Sequence, residues 1–179
     1  MVSATDVFVS TSAYQADTTV VIQPYFENSA LGTSSSPLVN TQTSQPSGSG
    51  STKAILTGST LYLWSPQFGN GLSLPSGIFR VDFWASSLLI SVTLVTLVIS
   101  VNVTNAVGTT VNTLGSSSLT IDTTETEYIL NFTIPATTVP ASGYISVTFT
   151  LSTGVSADIY WGASQETNFQ IEEFRGVVN

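Results

Sequence analysis

Cysteine and histidine are both absent from this chain of 179 residues. With them go disulfide scaffolds, thiolate or imidazole zinc sites, haem ligation and any Cys or Ser–His nucleophile. Basic side chains are nearly absent as well. Lys53, Arg80 and Arg175 stand against eleven acidic residues, for a net charge of −8. Three cations cannot neutralise a phosphate backbone, so nucleic acid is excluded as a partner. Charged residues make up 8% of the chain, against about 25% in a typical soluble domain. A basic, apolar leader is also missing from Met1–Ser10, so export is expected to follow another route or to precede this form of the chain.

Serine and threonine fill the space left by charge, at roughly 30% of the chain. Hydrophobic residues are 42% and aromatics 10%, enough apolar surface to fold rather than stay disordered. Threonine's branched β-carbon suits a pleated surface, so hydroxyls on the outer positions of strands account for both features.

The length fits one domain over 1–179. Period-two alternation runs from end to end, broken by Gly, Pro, Asn and Ser. Val7 and Val9 open it, with residues 1–10 as a possible extended N-terminal strand, and Val20 and Ile22 follow. Residues 28–52 read as a Ser/Gly/Pro-rich surface loop, and 71–77 as a turn-rich connection. Leu61/Leu63, Phe79/Val81/Phe83/Ala85, Tyr128/Leu130/Phe132/Ile134, Ile145/Val147/Phe149/Leu151, Ala157/Ile159/Trp161 and Phe169/Ile171 each mark one face of a strand. The expected fold is all-β: an antiparallel two-sheet sandwich, jelly-roll-like, with roughly 9–11 strands. Its expected core contains Phe79, Val81, Phe83, Leu130, Phe132, Val147, Phe149 and Trp161.

Residues 85–103 form a charge-free stretch of 19, near the length of a membrane span. Its β-branched composition and alternation predict a strand instead, and no membrane span. Leu88, Ile90, Val92 and Leu94 share one face. Leu97, Ile99, Val101 and Val103 share it again after a one-residue slip near Val95, as a β-bulge would produce. Leu89, Val95 and Val98 are left facing outward, and an apolar outer face suggests assembly.

Asp122, Glu125 and Glu127 cluster before a strand, Asp158 and Glu166 flank Trp161, and Glu172 and Glu173 lie near the C-terminus. A glycosidase needs two facing carboxylates, which spacing alone does not supply. Calcium is chemically possible on such oxygens, although no Asp-rich calcium loop is present. Tyr62, Trp64 and Trp84 fall on the phase opposite the core residues and form a candidate sugar platform, with Arg80 and Asp82 beside Trp84. Asn102-Val103-Thr104 and Asn131-Phe132-Thr133 are N-glycosylation triplets, which fit a secreted protein.

Leu61-Tyr62-Leu63-Trp64-Ser65-Pro66, Phe83-Trp84-Ala85-Ser86 and Tyr160-Trp161-Gly162-Ala163-Ser164-Gln165-Glu166-Thr167-Asn168-Phe169-Gln170 resemble, in order and spacing, a group of Ser/Thr-rich β-sandwich proteins predicted at the surface of archaea, many thermophilic. The likeness covers about residues 60–172. It implies an extracellular or cell-surface β-sandwich, and it transfers no catalytic residues. More loosely, the chain is similar to archaeal pilus and fibre subunits joined by donated strands.

These readings converge on a non-enzymatic structural subunit of an extracellular filament or surface assembly. It would partner itself as a homopolymer or homo-oligomer, with no cofactor. Strand addition is the expected joint, with Val7, Phe8 and Val9 as donor. One alternative is a carbohydrate-binding module that takes polysaccharide on Tyr62, Trp64 and Trp84, and another is a virion or phage appendage protein.

Overall fold

The structure is a computed structural model that describes residues 19–22, 38–39, 51–65, 67–88, 94–161, 165 and 167–173. Among the described residues there is no helix and there are thirteen strands. They are β1 (Thr19–Ile22), β2 (Leu38–Val39), β3 (Ser51–Leu56), β4 (Thr60–Trp64), β5 (Leu72–Leu74), β6 (Gly77–Leu88), β7 (Thr96–Thr104), β8 (Thr110–Thr120), β9 (Thr126–Ile134), β10 (Thr137–Val139), β11 (Tyr144–Thr153), β12 (Ser156–Trp161) and β13 (Asn168–Glu173). The all-β sandwich expected from the alternation is what forms. The strands beyond the expected number include two- and three-residue pairings too short to leave a pattern.

Two sheets carry the architecture. One has six strands, with β6 at its centre. On one side of β6 lies β9, from Thr126 to Ile134. On the other side β13 pairs with Ile78–Asp82 and β12 with Trp84–Leu88, end to end. β3 continues the sheet outward from β12, and β1 continues it from β13. The second sheet has the order β2-β4-β11-β7-β8 and is antiparallel except for the short β2–β4 pair. A small ribbon of β5 and β10 stands apart.

Alternation places every second residue of each central strand inside. Phe79, Val81, Phe83 and Ala85 of β6 face Leu97, Ile99, Val101 and Val103 of β7 and Ile145, Val147, Phe149 and Leu151 of β11, all essentially inaccessible. The layers interlock through rings. Phe83 meets Phe149 edge to face, with centroids 4.9 Å apart, and Tyr128 stacks on the same Phe83 at 5.4 Å. Of the expected core, Phe132 is also buried, Leu130 is only partly so, and the Trp161 side chain lies outside the described residues.

The apolar run after Ala85 departs from expectation. It is not one bulged strand: β6 ends at Leu88 in the six-stranded sheet, and β7 begins at Thr96 in the other. The chain changes sheets between them, and Leu88 and Leu94 are both exposed. Val95, expected outside, is 1% exposed. Gly154, at φ +96°, lets the β11–β12 turn close on it; a Cβ there would stand 2.5 Å from Val95 Cγ2. The interval 28–52 also contains more than loop, since Leu38–Val39 pair with β4 and β3 begins at Ser51. Likewise 71–77 holds β5. The edge strand β8 is the largest surprise, because its hydroxyl-rich sequence shows little apolar alternation.

Charge separates by layer. Lys53 on β3, Arg80 and Asp82 on β6, Glu127 on β9, Asp158 on β12, and Glu172 and Glu173 on β13 all belong to the six-stranded sheet. The described strands of the five-stranded sheet carry no charged residue.

Two expectations follow. Phe149→Ala should cost about 3–5 kcal/mol in denaturant unfolding, because it removes the ring that joins the layers. Tyr128 accepts a hydrogen bond from the Asp122 N–H at 2.8 Å. Its pKa is raised above 10.0, first by burial and then by the Asp122 charge, against the lowering effect of that main-chain bond. The unfolded chain therefore ionises this phenol first, so its contribution is intact below about pH 10 and declines as pH rises through the folded value. Melting temperatures of Tyr128→Phe should fall less steeply above about pH 10 than those of the parent.

Candidate functional site

The residues singled out as a platform do not share a surface. Tyr62 and Trp64 are on β4 of the five-stranded sheet, while Trp84 is on β6 of the other. The two outer faces of a sandwich point in opposite directions, so no single ligand reaches both sets.

Trp64 is also unavailable, at 7% exposure. Its indole lies against Tyr144, with ring centroids 4.7 Å apart, under the β7–β8 turn. Asn105 Oδ1 accepts from the Val107 and Thr109 N–H groups and holds that turn closed. Gly108, at φ +82°, brings it onto the ring; a Cβ there would overlap Cη2. The indole Nε1 is buried with no hydrogen-bond partner.

Trp84 lies on a more versatile surface. β9, β6, β12 and β3 align Glu127, Trp84, Tyr160 and Thr52 as successive partners across the outer face of the six-stranded sheet. Trp84 and Tyr160 are both part-exposed, and Glu127 and Thr52 are exposed. The Tyr160 hydroxyl is 2.8 Å from Ser86 Oγ. Ser86 pairs with Asp158, two residues back along β12, so the phenol ring lies along the sheet rather than standing out from it. In the next rows Arg80 Nε donates to Asp82 Oδ1 at 2.7 Å, and Gln170 Nε2 donates to Asp82 Oδ2 at 3.4 Å. Asp82 is 6% exposed although it is on the outer face. The Arg80–Asp82 pair therefore acts as a floor beside the rings, with Arg80 partly in solvent.

Tyr160 was not anticipated for this surface. Its signal was the alternation Ala157/Ile159, which puts Tyr160 outside, but only the β6–β12 register brings it beside Trp84.

The outer face of the five-stranded sheet is different in kind. One row reads Thr60, Thr150, Val98, Ser118 across β4, β11, β7 and β8, and the next Tyr62, Thr148, Ser100, Ser116. Thr60 and Thr150 share a hydrogen bond at 2.8 Å, Ser100 and Ser116 one at 2.9 Å. Thr148 Oγ1 donates to the Ser100 carbonyl at 3.5 Å. Val98 lies here, part-exposed as expected, without its proposed companions: Val95 is in the core, and Leu89 lies outside the described residues. Val7, Phe8 and Val9 also lie outside them.

Of the two glycosylation triplets, Asn102 is contradicted as an outward site. It is 7% exposed, and its Oδ1 accepts from Thr113 Oγ1 at 2.8 Å. The cause is the covered end of the sheet, where Trp64 and the 105–109 turn close over its row. Asn131 and Thr133, on β9, are exposed. Among the described residues no three His, Cys, Asp or Glu side chains gather to hold a metal ion. No helix among them is long and apolar enough to cross a membrane.

No family profile and no curated protein matches this sequence. Solved structures share its fold. Over 85% of its length the chain is similar to a CocE/NonD family hydrolase from Staphylococcus aureus, with a TM-score of 0.63, 10% identity and 37% of that chain covered. It is similar over 86% of its length to an aminopeptidase from a marine sediment archaeon, Thaumarchaeota archaeon, with a TM-score of 0.59, 9% identity and 36% of that chain covered. The chain thus spans little more than a third of either protein. A looser likeness, with a TM-score of 0.38 and 11% identity, is to the CBM22-1 xylan-binding domain of Paenibacillus barcinonensis Xyn10C; it covers 86% of this chain and 96% of that one. At these identities the first two likenesses define the class of fold, an all-β sandwich, and assign no activity.

Trp64 offers a clean test of the covered end. Trp64→Ala should cost about 3–5 kcal/mol by chemical denaturation, as for a large buried aromatic. Trp64→Phe should cost under about 1.5 kcal/mol, because deleting the unpartnered N–H returns part of what the smaller ring loses.

Proposed function

We propose that this chain is a non-catalytic module that binds a neutral polysaccharide outside the cell or at its surface. The observation that carries this reading is the pairing of Trp84 with Tyr160 on the outer face of the six-stranded sheet. The exposed Glu127 flanks Trp84 in the same row, and the part-exposed Asp158 is two residues from Tyr160 on β12. A pyranose presents an apolar C–H face to an aromatic ring and hydroxyls at its rim, so it needs a flat ring with acceptors alongside. Glu127 and Asp158 are such acceptors, and hydrogen bonds to carboxylates are the stronger kind.

The same carboxylates set selectivity. A face carrying Glu127, Asp158 and Asp82, with Arg80 engaged by Asp82, repels uronate- or sulfate-bearing chains. The strands of Glu127 and Asp158 also stand two spacings apart, about 10 Å before the offset along the strand is added. Paired glycosidase carboxylates sit closer across one glycosidic bond, which favours binding over hydrolysis.

Affinity electrophoresis against neutral and acidic polysaccharides tests this, with calorimetry on whichever chain retards the protein. Retardation by a neutral glycan and not by polygalacturonate is expected. Trp84→Ala should weaken binding at least about tenfold, or ~1.4 kcal/mol, with an unchanged circular-dichroism melt. A parent protein retarded by no neutral glycan, or a Trp84→Ala protein that binds as tightly, refutes the assignment.

A further inference from the structure

We propose that the outer face of the five-stranded sheet is the contact surface for a second copy of this chain, the two sandwiches packing sheet to sheet about a two-fold axis. The first support is electrostatic. Every charge on a described sheet strand belongs to the other sheet, and the molecule carries a net −8. Two copies meeting through their five-stranded sheets bury no ion of the described strands. Their acidic faces are then separated by three inter-sheet spacings, about 30 Å, several times the ~8 Å Debye length at physiological salt. Contact through the six-stranded sheets would instead bring the acidic faces to about 10 Å.

The second support is the cost of removing water. A hydroxyl face is expensive to cover when its donors are left without acceptors. Three hydrogen bonds within the face lower that cost: Thr60 with Thr150, Ser100 with Ser116, and Thr148 to the Ser100 carbonyl. At its margin Ser152 donates to the Thr96 carbonyl at 3.1 Å. Val98 and Tyr62 are part-exposed among the hydroxyls of this face. A face whose described strands carry no charge can pack against its own copy, as an isologous contact requires.

The third support is size. β4, β11, β7 and β8 are five, ten, nine and eleven residues long, which at about 4.8 Å between strands and about 3.3 Å per residue gives roughly 550 Å² of plane. Side-chain relief adds to that, which brings it near the ~800 Å² per partner of a standard stable interface. In such a dimer the Trp84–Tyr160 surfaces would face away from each other, giving two outward sites.

Sedimentation equilibrium and light scattering of the full chain, from micromolar to near-millimolar concentration, test the proposal. A monomer–dimer equilibrium is expected. Thr148→Glu on β11 and, independently, Ser116→Glu on the exposed edge strand should each weaken it at least about tenfold. Asn131→Glu, on the opposite sheet, should leave it unchanged. Far-ultraviolet circular dichroism distinguishes lost association from lost folding, and Ser116 is exposed enough to keep at least one variant folded. A monomer across the whole range overturns the proposal, as does a dimer indifferent to both face variants. So does a monomer whose polysaccharide binding is abolished by Thr148→Glu, which would make a glycan the occupant of this face. The first two failures leave the Trp84 assignment standing, because that assignment is read from glycan binding alone; the third also counts against it.

Discussion

Phe83 and Phe149 meet edge to face at 4.9 Å, one from the centre of each sheet, and the rest of the molecule is arranged around that contact. An edge-to-face pair needs its two strands at one height and one separation. That fixes β6 above β11. With β6 placed, its pairing positions β9 on one side and β12 and β13 on the other. With β11 placed, β4 and β7 flank it, and β8 closes the edge. Tyr128 stacks on Phe83 and ties the β8–β9 turn to the same ring through Asp122. A chain with no disulfide and few ion pairs depends on this kind of interlocking apolar contact for its stability.

The two outer faces diverge because their chemistry diverges. One combines aromatic rings, carboxylates and the Arg80–Asp82 pair. The other is hydroxyl-rich and carries no charge on its described strands. A single sandwich thus presents two chemically distinct sides. The strand order keeps them apart: the charged segments fall on β3, β6, β9, β12 and β13, which join one sheet, and the uncharged ones on β4, β7, β8 and β11, which join the other.

Much of this was legible from residues alone. Period two in β6, β7 and β11, and at Phe132 and Ile134 of β9, identified most of the core, because a half-buried strand has no other way to satisfy its pattern. β8 was invisible for a physical reason. An edge strand with one face in solvent needs few apolar side chains, and its Ser and Thr leave no apolar alternation to read. The 85–103 run misled because apolar continuity does not distinguish a bulge from a change of sheet. Val95 and Trp64 were both placed outside by their phase. Each is covered by a distant turn, through Gly154 and Gly108 respectively.

Composition and alternation alone determined the class: an all-β sandwich, hydroxyl-rich outside, with no thiol or imidazole chemistry. They also determined which residues on a given strand share a face, since successive side chains must point to opposite sides. Only the tertiary structure decided which strands are neighbours. That choice separated Trp84 from Tyr62 and Trp64, set it beside Tyr160, buried Asn102 and left Asn131 exposed. Pairing is a contact between segments far apart in the chain, and the same local alternation is satisfied by many partners. The selection is made when the inner faces pack against each other.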